Sequence, residues 1–295
     1  MKPNPEFFPE KISTHYASKF KAGNCPLKKQ VKFSPLEFSQ SKASTEERVK
    51  RNAYRLDPVG DREAEIENNI LKKYEGRLLV LASNECPIHC RFCFRRNIQL
   101  QKSNNLPDRL SKVLAKDKTI KEVILSGGEP LMLSDSELKA FVNVIPQNIN
   151  IRIHSRAPVA LPERFTPGLY RLFRQLGPRL VFVAHVNHSN ELDNKTAEIF
   201  SFIKNCKATV LSQSVLLRGV NDNVKTLVQL FEKLFFQGVL PYYLHQNDRA
   251  KGTAHFEVPI KEAKAIYAGL KESLPGYLVP RLVREIRGGK SKKHL

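Results

Sequence analysis

Arg77-Leu-Leu-Val-Leu-Ala-Ser-Asn-Glu-Cys-Pro-Ile-His-Cys-Arg-Phe-Cys-Phe-Arg-Arg96 runs from an apolar strand pattern straight into three cysteines, Cys86, Cys90 and Cys93. The spacing is C-x3-C-x2-C. Three thiolates hold three of the four irons of a [4Fe–4S] cluster and leave the last open to a ligand that is not protein. An open iron is where chemistry can start. A structural zinc site takes a further Cys or His close by, or a second paired knuckle. No second knuckle is present, and the remaining cysteines, Cys25 and Cys206, are isolated in the sequence.

Outward from the triplet, apolar runs at 78–83, 122–126, 149–154, 180–186, 209–216 and 240–245 read as strands. Amphipathic stretches at 134–144, 162–175, 194–205, 224–237 and 261–273 read as helices, as does 62–73 ahead of the first strand. Such alternation predicts an α/β fold with parallel strands and right-handed crossovers. Residues 1–60, rich in Lys, Ser and Pro, are expected to form a helical or irregular N-terminal extension. Residues 61–275 carry the repeating units, and 276–295 form a short tail.

Composition points to an intracellular enzyme. The chain has 295 residues, enough for one large α/β domain. Five cysteines with a clustered triplet argue against a secreted disulfide framework. Residues 1–10 hold no apolar leader core, and no run approaches the ~20 residues of a membrane span. The cytoplasm is therefore expected, with no membrane partner. With 49 Lys+Arg against 29 Asp+Glu, the net charge of +20 would attract polyanions. That charge is spread along the chain without a zinc-finger, helix-turn-helix or RNP-like motif, so nucleic acid is not an expected partner.

Two further motifs fall at strand ends. Ile124-Leu-Ser-Gly-Gly-Glu-Pro-Leu-Met132 offers glycines Gly127 and Gly128, which let backbone approach closely, and Glu129, an acceptor for an ammonium group. His154-Ser-Arg156 ends the third strand.

The triplet, with Phe92 in its aromatic position and Gly-Gly-Glu one β/α unit later, resembles the signature of the radical S-adenosylmethionine (SAM) superfamily. The resemblance implies a partial (β/α)6 TIM-like barrel with functional residues at the C-terminal strand ends. It also implies that SAM chelates the open iron and is cleaved reductively to a 5′-deoxyadenosyl radical. Phe92 then packs on the adenine, and Gly127, Gly128 and Glu129 meet the methionine amino group. Ser155 and Arg156 match the SAM-contacting pair.

Asn187-His-Ser-Asn-Glu191, Gln213-Ser-Val-Leu-Leu-Arg-Gly-Val-Asn-Asp222, Pro241-Tyr-Tyr-Leu-His245 and Gly276-Tyr-Leu-Val-Pro280 resemble lysine 2,3-aminomutase. The wording is nearest the short branch that makes (R)-β-lysine for elongation factor P. This implies pyridoxal 5′-phosphate (PLP) on a C-terminal lysine, and counting from Arg284-Glu-Ile286 selects Lys292. Where the family reads Lys-Thr-Pro, this chain reads Lys292-Lys293-His294, and Lys290 and Lys293 are neighbours that could serve. Arg77 and Gln213 match cofactor contacts. Arg95 matches the residue that binds the substrate carboxylate, a task suited to a bidentate fork. Asp248 and Glu285 match the acids at the distal ammonium. Two carboxylates there favour L-lysine over glutamate. The resemblance further implies a one-electron reductant protein such as flavodoxin or ferredoxin. His185, His188, His245 and His255 read as packing residues. Two other readings stay open: a PLP-free radical SAM enzyme, and a basic iron–sulfur protein that binds nucleic acid.

Overall fold

The computed structural model describes residues 8–23, 25–38, 54–98, 100 and 104–295. Most of the leader reading at 1–10, and 39–53 of the N-terminal extension, lie outside the described residues. The described part of that extension is an ordered arm. Ser13 caps helix α1 (Thr14–Ser18) by accepting from Tyr16 N at 3.2 Å. Pro26, whose missing N–H costs nothing in a first turn, opens α2 (Pro26–Val31). A 3-10 turn at Pro35–Glu37 is closed by a capping box between Ser34 and Glu37. Tyr16, Leu27, Gln30 and Val31 are completely buried, so the arm packs on the barrel along its length.

Residues 62–73 do not form the expected helix. A 3-10 turn at Arg62–Ala64 leads into an antiparallel hairpin, β1 (Glu65–Glu67) and β2 (Ile70–Tyr74). The reversal falls at Asn68-Asn69, and Asn69 adopts φ +65°, a left-handed conformation that asparagine tolerates well. Burying Ile70 and Leu71 against the sheet outweighs the helical propensity of the surrounding Glu and Lys residues.

β2 then pairs antiparallel with β3 (Arg77–Ser83). From there the sheet is parallel: β4 (Glu122–Gly127), β5 (Asn150–Ser155), β6 (Leu180–His185), β7 (Thr209–Leu216), β8 (Leu240–Gln246) and β9 (Arg281–Arg284), in chain order. The intervening helices are α3 (Leu106–Lys116), α4 (Asp135–Val144), the single turn α5 (Ala157–Ala160), α6 (Pro167–Leu176), α7 (Asn194–Asn205), α8 (Val224–Phe236) and α9 (Ile260–Ser273). The six units from β3 to α9 match the expected partial barrel. The strand at 281–284 and helix α3 were not anticipated. The helix expected over 162–175 breaks into a 3-10 turn at 162–164 and α6, which starts at Pro167 behind its Thr166 cap.

Strand residues facing the helices, such as Leu78, Val80, Val123, Leu125, Ile151 and Phe182, form the core. The alternate residues of β5, Arg152 and His154, and of β7, Leu211, Gln213 and Val215, are less buried. They face the opposite side of the sheet, the inside of the barrel.

β9 continues through Gly288-Gly289 into β10 (Lys293–His294), which returns antiparallel with Lys293 opposite Arg284. Among the described residues no ladder joins β10 to β1. Side chains bridge the seam instead: the Tyr74 hydroxyl donates to Glu285, and Arg287 Nε donates to Glu63 at 2.8 Å.

The arm is tied to the cysteine loop by an ion cluster. Arg91, between Cys90 and Cys93, is about 1% exposed and donates from Nε to Glu37 at 2.8 Å; Arg96 binds the same carboxylate. Burial alone would raise the Glu37 pKa, but the two guanidinium groups bring it below its ordinary value. Breaking a buried pair by removing one charge costs about 3–5 kcal/mol. Glu37→Gln is expected to lower unfolding stability by that order in a urea titration. Glu10→Gln, which breaks the exposed Lys32–Glu10 pair, should cost about 0–1 kcal/mol.

Candidate active site

The cysteine loop leaves the C-terminal end of β3 and folds over the end of β4. The two glycines there are required by the loop itself. Gly127 has φ +115°, and a Cβ on it would meet Ser83 O at 2.5 Å. A Cβ on Gly128 would meet Glu85 O at 2.4 Å and Cys86 Sγ at 3.1 Å. Their close approach lets Gly128 N and Glu129 N each donate at 2.7 Å, to Ser83 O and Glu85 O. The sequence motif is thus a seat for the cysteine loop.

Cys86, Cys90 and Cys93 are all free and half-buried. Burial, and then the other two thiols, push the Cys86 pKa far up. Burial and Cys90 push Cys93 up to about 11, against a lowering hydrogen bond from the Arg95 backbone. Three thiols whose ionised forms would repel one another fit a site completed by a cationic centre. No three ligands converge on one point as a single metal ion would need, among the described residues. A cluster spreads its irons over a cube and makes no such demand.

Glu129 is buried beneath the triplet. Its Oε1 accepts from Leu131 N at 3.1 Å and its Oε2 from Arg156 N at 2.7 Å. Burial pushes its pKa up to about 7 despite these donors. Each carboxylate oxygen has a second lone pair, so capacity for an ammonium remains. Ser155 Oγ accepts from Ala157 N at 3.0 Å, fixing the turn that presents Arg156. Arg156 Nη1 donates to Cys90 Sγ at 2.7 Å, and its carbon Cζ lies 5.4 Å from the Phe92 ring centre. Its Nε–H has no partner among the described residues. Phe92 packs with Leu217, Val220 and Phe256 and edge-on to His185.

A second group of charges occupies the seam. Arg95 Nε donates to Asp61 at 2.6 Å, Asp61 also binds Lys73 at 2.7 Å, and Lys73 lies 3.8 Å from Glu285. Lys292 Nζ pairs directly with Glu285. Burial would raise the Glu285 pKa, but Lys292, Tyr74 and Lys73 hold it below its ordinary value. The register of β9 with β10 creates this contact by setting Lys292 back against the strand end that carries Glu285. Lys290 and Lys293 are exposed, while Lys292 is half-buried. Arg77 lies with its guanidinium 5.2 Å from the Tyr74 ring centre, one ring away from Glu285.

Asp248 and Glu285 line one cleft of about 280 Å³ together with Arg55, Pro58, Arg249, Arg284 and Arg287. Asp248 pairs with no cation among the described residues. Burial, and then Glu285, push its pKa up to about 7. His245 is driven down to about 3 by burial and then by Lys292. Burial, with Arg152 and Lys292, likewise drives His154 well below the histidine range. Both imidazoles are therefore neutral beside the lysine. Sequence reasoning missed Asp61, just before the 3-10 turn, and Lys73 and Tyr74, on the unexpected hairpin; none of them carries a motif.

An open parallel barrel with a three-cysteine loop after its first parallel strand and a Gly-Gly-Glu seat after the second is the architecture of a radical SAM enzyme. The radical SAM superfamily profile matches residues 80–231. L-lysine 2,3-aminomutase of Haemophilus influenzae is 38% identical over 297 residues, spanning 97% of this chain and 84% of that protein. The enzyme of the same name from Escherichia coli is 36% identical over 299 residues, spanning 98% and 84%. Among solved structures, SAM-bound SuiB of Streptococcus suis superposes with a TM-score of 0.53 at 14% identity, covering 74% of this chain and 49% of that one. A radical SAM methyltransferase from Sphaerobacter thermophilus gives 0.51 at 16% identity, covering 73% and 68%. These two likenesses show the fold alone. The chain belongs to the lysine 2,3-aminomutase family of the radical SAM superfamily, and it is an isomerase. Membership implies a [4Fe–4S] cluster, SAM and PLP as cofactors. No helix among the described residues is long and apolar enough to cross a membrane.

Proposed function

We propose that this enzyme converts L-lysine to β-lysine by moving the amino group from Cα to Cβ, with PLP held by Lys292. The observation that carries this reading is that Glu285, which lines the cleft together with Asp248, pairs with Lys292. Two acids select a substrate with a cationic end. The arginines around them suit a ligand that is anionic elsewhere, as a phosphate is.

The cluster with SAM supplies a carbon-centred radical, and PLP supplies a carrier that lets the nitrogen migrate. The chain's own residues do the rest. Cys86, Cys90 and Cys93 hold iron. Glu129 would accept from the SAM ammonium, while Gly127 and Gly128 seat the loop. Ser155, Arg156, Phe92 and Gln213 would complete the SAM contacts, and Arg77 would receive the PLP phosphate. Arg95, oriented by Asp61, receives the substrate carboxylate. Glu285 now holds the Lys292 ammonium, so a lysine substrate must compete for it; Asp248 pairs with no cation among the described residues. The expected setting is the cytoplasm, with flavodoxin or ferredoxin as reductant and elongation factor P as the destination of the product. The organisation proposed is an extension to residue 60, a barrel over 61–275 and a PLP-lysine tail over 276–295.

The test is chromatography of anaerobic reactions containing reconstituted protein, SAM, PLP, reductant and L-lysine. β-Lysine is the expected product. Cleavage of SAM without any β-lysine would sink the reading.

The Asp248 carboxyl gives a pH prediction. Its pKa is raised from roughly 4 in an unfolded chain to about 7. Its stability contribution is therefore complete below pH ~4 and lost as pH climbs to ~7, by at most about 1.4 kcal/mol per pH unit. Asp248→Asn should gain stability relative to the parent across that window and hold a constant advantage above it. Ionisation also creates the ammonium acceptor, so the parent's KM for lysine should fall between pH 6 and 8, and that of the variant should not. A parent KM flat with pH counts against the role.

A further inference from the structure

We propose that Gln30, in the N-terminal arm, is a positioning residue for the SAM pocket: its side-chain amide holds the Arg156 guanidinium against Cys90. The proposal rests on the reading of Arg156 as a SAM contact.

Gln30 is completely buried, far in sequence from any motif. Its Oε1 accepts from Arg156 Nη2 at 2.6 Å and from Asn187 Nδ2 at 2.9 Å. Its Nε2 donates to Glu191 Oε1 at 2.9 Å. The orientation of the amide is forced, because its oxygen faces two donors and its nitrogen faces a carboxylate. The partners are themselves fixed. Glu191 Oε1 also accepts from Asn187 N at 3.2 Å, and Asn187 Oδ1 accepts from Val215 N at 2.8 Å. Glu191 Oε2 lies 3.3 Å from Arg156 Nη2, and the Tyr16 hydroxyl oxygen accepts from the same nitrogen at 3.1 Å.

The backbone of Gln30 makes the second attachment. Its carbonyl accepts from Arg91 N at 2.7 Å, immediately after Cys90. One residue of the arm therefore grips both the cysteine loop and the arginine that touches Cys90 Sγ. Nη1 and Nη2 are both engaged, and Nε is the Arg156 nitrogen without a partner among the described residues.

The side-chain type follows from charge. A glutamate at position 30 would set a second carboxylate against Glu191 in a dry interior, and like charges there repel strongly. An apolar residue would strip an acceptor from both Arg156 and Asn187, and unpaired buried donors are costly. Glutamine satisfies both donors while leaving Glu191 as the carboxylate that balances Arg156.

The test uses anaerobically reconstituted protein, comparing the parent with Gln30→Met, Gln30→Glu and Arg156→Gln. The readouts are iron content, equilibrium binding of SAM and the change in the electron paramagnetic resonance of the reduced cluster on adding SAM. Both Gln30 variants are expected to load iron like the parent. Their SAM affinity should fall by about 10- to 100-fold, the usual cost of losing an outer-shell partner. The SAM-induced spectral change should vanish at concentrations that saturate the parent. SAM affinity within twofold of the parent in both variants overturns the proposal, even if their melting temperatures drop, because that is what a merely structural residue would do. If neither folds, Gln30→Asn, which withdraws the amide by one methylene, decides by the same criterion. Arg156→Gln separates the two failures. If it weakens SAM binding and the Gln30 variants do not, only the positioning role is lost. If it leaves SAM binding intact, the reading of Arg156 falls and the proposal with it.

Discussion

Cys90→Ala protein is expected to fold and to lose turnover completely, because a triplet reduced to two thiols can no longer hold three irons of a cube. The fold should survive, since the three cysteines stand half-buried on a loop whose path is fixed by other contacts. Those contacts are backbone bonds to Gly128 and Glu129, and the buried attachment of Arg91 to Glu37. Iron and sulfide content after anaerobic reconstitution, with the absorbance near ~400 nm expected of such clusters, reads the result directly. Cys206→Ala is the control. Cys206 is a free, buried cysteine distant from the loop in sequence, so its removal should cost a little stability as a small core truncation and leave the iron content unchanged. Equal iron loss in both variants would mean that the triplet has no special status. Full iron with full activity in Cys90→Ala would remove the cluster assignment altogether.

What was legible in the sequence was chemistry whose partners are close neighbours in the chain, or strands with an apolar core face. The triplet lies within eight residues, and its ligand logic needs no knowledge of the fold. β3 to β8 each bury apolar residues in the core, most of them on the face packed against the helices, so each could be placed to within a few residues. The hairpin at 65–74 was not legible. Glu65-Ile-Glu-Asn-Asn-Ile-Leu-Lys-Lys73 satisfies both a helical and a strand period, and its outcome depends on the edge of β3 offering a pairing partner. That error had a functional consequence, since Lys73 and Tyr74 reach Glu285 only from a strand. β9 was hidden for a related reason: Arg281-Leu-Val-Arg284 is short and flanked by charge, and it becomes a strand by extending β8.

The arm was the least legible part. A segment rich in Lys, Ser and Pro has the composition of a loose extension, and its role is carried by single polar residues acting over long separations. Gln30 meets Glu191, and Glu37 meets Arg91, with nothing local to announce either pair. Buried polar networks of this kind specify a unique arrangement because a half-satisfied version is worse than none. The cluster loop is thus defined partly by its own cysteines and partly by residues that composition alone would have left in solvent.

Replacing Lys292 by alanine is expected to abolish both turnover and the borohydride-trapped pyridoxyl adduct, while Lys290→Ala and Lys293→Ala keep both. The argument is geometric. Of the three lysines, Lys292 alone is turned inward, with its ammonium on Glu285 and 6.0 Å from the centre of the Tyr243 ring. Lys290 and Lys293 point to solvent on the same hairpin. The expected result is peptide mapping of a single reduced adduct to Lys292 in the parent, and no adduct in Lys292→Ala, with iron content unaffected in every variant. Stability provides an independent reading. Removing Lys292 takes one cation from a partly buried carboxylate that keeps Lys73 and the Tyr74 hydroxyl, so the loss should be well below the ~3–5 kcal/mol of a fully orphaned charge. An inactive but well-folded, iron-loaded Lys292→Ala protein therefore separates cofactor attachment from scaffolding. If the adduct instead mapped to Lys290 or Lys293, the hairpin would have to turn over on binding PLP and the pairing of Lys292 with Glu285 would be its resting contact only. An adduct on none of the three would leave the cluster and the SAM pocket in place and remove the aminomutase reading of the cleft.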